Sequence, residues 1–99
     1  MKVNTQFKKI CDDMVKLHRT KSHDYADDSD PYLNFNTNSS IWGQPNWQEP
    51  LKRATEKMIR IAQLSKNNKT PKNEGIEDSI KDIAVLSIIA YDLYTRDKK

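Results

Sequence analysis

The last third of this chain contains the run IAVLSIIAYDLY over residues 83–94, which is apolar on nearly every side when wound as a helix. A helix apolar all round is normally buried all round. The flanking residues support a helix over residues 75–96. Glu77 and Asp78 fall in its first turn, where the helix dipole favours acids, and Arg96 falls in its last, where the dipole favours bases. The fold class predicted is all-α, a small bundle of three main helices with a long loop between the first and second. Three helices cannot surround one of their own, so burial of the last helix on all sides predicts a homo-oligomer. The alternative is a monomer in which the long loop covers that helix.

The other two helices are weaker in pattern. Phe7, Ile10, Cys11, Met14, Leu17 and His18 recur at steps of three and four, with Asn4 as N-cap, which predicts a first helix over residues 4–26. Residues 27–46 are read as an irregular loop holding Pro31, Gly43 and Pro45, and a loop of that length in a compact domain is usually functional. A second helix is expected to start between residues 46 and 50, with Asn46 and Glu49 as a loose capping box, and to end near residue 66. Its apolar stripe is read as Leu51, Ala54, Met58, Ile61 and Ala62.

Composition narrows the class. The 99 residues suffice for one domain with a thin core. Hydrophobic residues make up 35% and charged residues 31%, a balance for which self-association is a common source of stability. A single cysteine, Cys11, excludes an internal disulfide framework and a cysteine-rich zinc site. The N-terminus has no apolar core of a signal peptide and no run is long enough to span a membrane, so a cytoplasmic protein is expected, in the host cytoplasm if phage-encoded. The net charge of +3 is too small to point to a polyanion by itself.

Chemistry-bearing residues interrupt the apolar faces. The stripe of the first helix turns polar at His18, Lys21, Asp24 and Tyr25. On the last helix Asp78 and Asp82 are four residues apart, hence on one face, at the head of the stripe Val85, Leu86, Ile89 and Leu93. Carboxylates so placed suit Mg²⁺, which binds through one or two acids plus substrate phosphates, and Glu77 is a neighbouring candidate ligand. Against this stands the plain reading of dipole-favoured acids in a solvated first turn. Arg53, Lys57 and Arg60 form a basic stripe on the second helix, either a solvated face or a phosphate contact. Trp42, Trp47, Tyr32 and Phe35 either stack on a base or cap the small core. The acids Asp27, Asp28 and Asp30 do not make a calcium loop, because Pro31 follows and the central glycine is absent.

The order of these segments carries a resemblance. His23-Asp24-Tyr25-Ala26, then Asn34-Phe35, then Lys57-Met58-Ile59-Arg60, then Glu77-Asp78 with Asp82-Ile83-Ala84, resembles a small phage and prophage family called nucleotide-modification-associated. The likeness covers roughly residues 7–95. It maps that family's motif positions to Lys21, Asp24, Tyr25, Asn34, Phe35, Lys57, Arg60, Asp78 and Asp82. That family is in turn distantly similar to MazG-like all-α nucleoside-triphosphate pyrophosphohydrolases, oligomeric bundles in which paired acids on two helices hold Mg²⁺. The resemblance implies a nucleotide-handling protein in which Asp78, Asp82 and Asp24 are catalytic. Asp78, Asp82 and Glu77 would hold Mg²⁺. Lys21, Tyr25, Asn34, Phe35, Lys57 and Arg60 would bind substrate. The chain departs from the MazG-like pattern on the second helix, where Lys57 and Arg60 stand in place of acids.

Three functions therefore compete. One is a Mg²⁺-dependent nucleoside-triphosphate pyrophosphohydrolase. Another is a nucleotide-binding protein without turnover. The third is a phage-encoded module that binds and inhibits a host enzyme or defence protein.

Overall fold

The computed structural model describes residues 4–21, 30–67 and 75–96, and these form four α-helices. They are α1 (Thr5–Lys21), α2 (Leu33–Trp42), α3 (Gln48–Asn67) and α4 (Ile76–Arg96). No strand occurs among the described residues. The chain divides into two compact units, Met1–Asn34 and Phe35–Lys99, with the division in the first turn of α2.

In the first unit, Asn4 caps α1 as its sequence position suggests. Its Oδ1 accepts hydrogen bonds from the backbone N–H of Gln6 (2.8 Å) and Phe7 (3.3 Å), and its carbonyl takes the first helical bond from Lys8 (3.0 Å). Two of the four orphan N–H groups at this terminus are thereby satisfied. Met14 is buried on the apolar face, while Phe7 and Ile10 on that face are exposed. The expected continuation of this helix to residue 26 lies outside the described residues.

The expected long loop is corrected by α2. Residues 33–42 are helical, so the architecture has four helices rather than three. Asp30 supplies the start. Its carboxylate accepts from Tyr32 N (2.9 Å), its carbonyl accepts from Leu33 N (3.3 Å), and Pro31 stands between them, where a helix start does not need its missing N–H. The stop is equally local. Gly43 adopts φ 65° and Gln44 N–H reaches back to Ser39 O at 3.0 Å, the six-to-one bond that closes a helix on a left-handed residue.

The second unit is built on α3 and α4, which pack against each other. They run antiparallel. Trp47, just before α3, meets Tyr94 near the end of α4 in a T-shaped contact (5.3 Å), and Lys57 in mid-α3 meets Asp82 nearer the start of α4. The helical remainder of α2 folds onto the start of α3. The guanidinium of Arg53 lies 5.7 Å over the Phe35 ring, and Asn46 Nδ2 donates to Asn36 Oδ1 at 2.8 Å. The core consists of Phe35, Pro50 and Ala54 with Val85, Leu86, Ile89, Ala90 and Leu93. The expected inner stripe of α4 is thus buried as a unit.

On α3 the buried face is rotated from the expected apolar stripe. Pro50 and Ala54 are buried, and Lys57, Ile61 and Leu64 are half-buried along the same line, whereas Leu51, Met58 and Ala62 face outward. Asn46 also departs from expectation. Its carbonyl accepts from Glu49 N (3.1 Å), but its side chain turns to Asn36, so no reciprocal capping box forms.

Candidate functional site

The site grows from the antiparallel α3–α4 seam. Lys57 and Arg60 are one turn apart on α3, and Asp78 and Asp82 are one turn apart on α4, so opposite directions of travel bring a basic pair alongside an acidic pair. The structure joins one member of each. Lys57 Nζ lies 3.2 Å from Asp82 Oδ2, with the Asp82 side chain 7% exposed and that of Lys57 23% exposed. Arg60 is half-buried beside the seam and Asp78 is exposed at its edge.

An ion pair so withdrawn from water contributes little net stability, because desolvation offsets much of the attraction. The Lys57 side chain remains partly open to solvent. A four-carbon stem lets such a group exchange partners while keeping its charge hydrated. The arrangement therefore sets a cation for which a phosphate oxygen can compete beside a buried carboxylate.

The expected site residues separate clearly. Lys57 and Asp82 are brought together. Glu77 is not part of that group. Its side chain is 86% exposed and pairs with Lys81 at 3.5 Å, about 140° around α4 from Asp82 at 100° per residue. Phe35 is buried beneath Arg53, so a base has no open ring face to stack on there. Asn34 is exposed in the first turn of α2. The side chain of Lys21, and Asp24 and Tyr25 entirely, lie outside the described residues. No group of three or more His, Cys, Asp or Glu side chains gathers in metal-ligand geometry among the described residues.

The loop aromatics divide as well. Tyr32 is buried, and Trp47 is half-buried against Tyr94, so both serve packing. Trp42, at 72% exposure, stands outward at the end of α2.

Sequence reasoning did not anticipate the burial of three polar residues of the second unit, Asn46 and Glu49 having been read only as a helix cap. Ser79 is fully buried one turn before Asp82. Glu49 is buried in the first turn of α3, paired with Lys52 at 3.3 Å. Asn46 Oδ1 is buried with no hydrogen-bond partner among the described residues. For Glu49 a signal existed, an acid in the first turn of a helix. For Ser79 the signal was its place on the line of Asp82, Leu86 and Leu93.

A scan against protein-family models, a search of curated proteins and a search of solved structures each return no match for this chain. No described helix is long and apolar enough to cross a membrane.

Proposed function

We propose that the chain is a nucleotide-handling protein of phage type that takes a nucleoside triphosphate at the α3–α4 seam and cleaves it to the monophosphate and pyrophosphate. The observation that carries this reading is the Lys57–Asp82 pair, a withdrawn carboxylate held against a partly exposed lysine with a second base and a second acid one turn away. Lys57 would leave Asp82 for a phosphate oxygen, and Arg60 would contact the same chain through its planar fork. Asp82, released, and Asp78 would supply the carboxylates for Mg²⁺. The fit is to a cation that arrives with its substrate, since two acids one turn apart match the one or two protein ligands Mg²⁺ takes beside phosphates. When bound, Mg²⁺ would stabilise charge on the phosphate oxygens and lower the pKa of the attacking water. Water would attack the α-phosphorus, the bond from that phosphorus to the bridging oxygen would break, and pyrophosphate would leave. Trp42 is an exposed aromatic of the kind that would stack on a base.

The test is pyrophosphate release from a panel of ribo- and deoxyribonucleoside triphosphates with Mg²⁺ or Mn²⁺, run beside Asp82→Ala and Lys57→Ala. Metal-dependent release lost in both variants supports the reading. A folded wild type that releases nothing contradicts it for those substrates.

A second reading is binding without turnover. It is favoured by Lys57 and Arg60 standing on α3 where a fuller acid set would be expected for hydrolysis, and by the lack of a three-ligand cluster among the described residues. Titration calorimetry with a nucleoside triphosphate, with and without Mg²⁺, separates the two, because binding that needs no metal belongs to the second. We also read the chain as self-associating, on the strength of the outward apolar face of α4.

A further inference from the structure

Helix α4 has two apolar faces. One is the core face through Val85, Leu86, Ile89 and Leu93. The other carries Ile80, Ala84, Ile88 and Tyr91, which lie within about 80° of one another at 100° per residue and on the opposite side of the helix from the core. Ile80 is 56% exposed, Ile88 63% and Tyr91 71%. Large apolar side chains contiguous on one helix face mark an interaction surface, whereas scattered ones do not.

The charges flanking this face say what covers it. Near the start of α4 an acid precedes a base, Glu77 bonded to Lys81 at 3.5 Å. Near the end the same order repeats, Asp92 bonded to Arg96 at 2.9 Å. Lys81 and Asp92 lie on the same edge of the face, about 20° apart in projection. In an antiparallel pair of identical helices, each edge meets its own counterpart running the other way. Setting Lys81 opposite the partner's Asp92 pairs opposite charges along this edge, and the two-fold axis repeats the pair on the far half. That register also puts Ile80 against the partner's Tyr91 and Ala84 against the partner's Ile88, so apolar residues meet apolar residues and the smallest side chain meets a large one. A parallel pair would set Lys81 and Asp92 each against their own kind, which like charges oppose.

We propose that α4 is the seam of a two-fold homodimer, antiparallel, with its axis near residue 86. This rests on the self-association reading above and adds the face, the direction and the register. A two-fold interface must be self-complementary, and the charge order of α4 meets that requirement.

The experiment measures mass by sedimentation equilibrium over a range of concentrations, for wild type, Ile88→Glu, Lys81→Glu and the double variant Lys81→Glu/Asp92→Lys. Ile88 is exposed in the single chain, so its glutamate variant should keep its helical circular dichroism while losing the dimer. Lys81→Glu should weaken the dimer, and adding Asp92→Lys should recover it in part, since both substitutions meet across the same seam. Direction is read by disulfide trapping in a Cys11→Ser background. Ser87→Cys should cross-link readily. Ile80→Cys should not, because the partner's Ile80 would lie about 18 Å along the axis.

A monomer at every concentration overturns both the self-association reading and this proposal. A dimer that survives Ile88→Glu, or one that cross-links through Ile80→Cys, leaves self-association standing and overturns the seam or its direction.

Discussion

Lys57 and Asp82 face each other with unequal access to water, and the inequality predicts unequal consequences of removing either. Lys57→Met takes a counter-charge from a buried carboxylate and should cost about 3 kcal/mol. Asp82→Asn leaves Lys57 a route to solvent along its stem and should cost about 1 kcal/mol. Urea denaturation of the two variants checks the order, and a larger loss for Asp82→Asn would contradict the assigned burial. Both residues were legible as candidates in the sequence, Asp82 as an acid heading an apolar stripe and Lys57 as part of a basic stripe. Their pairing was not legible. The apolar residues of α3 point to a face through Leu51 and Met58, yet the face that packs runs through Pro50, Ala54 and Lys57, and only the packed structure decides that rotation.

The element that sequence patterning missed is α2, for a physical reason. Its apolar residues Leu33, Phe35, Ile41 and Trp42 do not gather on one face, so no helical period exists to be read. What defines α2 is its two ends, Asp30-Pro31 at the start and Gly43 at the stop, and the same residues read equally well as loop punctuation. The stop yields a prediction. A Cβ added at Gly43 would meet nothing within 4 Å, so Gly43→Ala costs only the left-handed backbone conformation, about 1 kcal/mol. Gly43→Asn should cost less, because asparagine tolerates that conformation better. Thermal denaturation of the two variants tests it, and equal stability of alanine and glycine at this position would contradict the assigned cap. By contrast α1, α3 and α4 begin within two residues of their expected starts, because each has an apolar stripe or first-turn signals long enough to register.

At the scale of the whole molecule, one feature of the sequence organises both proposals: α4 is apolar on two sides and carries Asp82 on its buried side. The inner side makes the seam with α3 that positions the charged pair, and the outer side is the face we propose for a second copy. These two uses are independent, so Ile88→Glu should dissociate the dimer without removing Lys57 from Asp82. If nucleotide binding at the seam is complete within one chain, its affinity in that variant should stay within about threefold of wild type, a difference of ~0.6 kcal/mol. The first measurement is pyrophosphate release from the nucleoside-triphosphate panel with Mg²⁺, wild type beside Lys57→Ala and Asp82→Ala. Release by wild type that falls by at least about 100-fold in each variant is the expected result, the scale on which loss of one charge-stabilising group lowers turnover. Release that persists in both variants would place the chemistry elsewhere in the chain, and a folded wild type that releases nothing would remove the hydrolase and leave the binding protein.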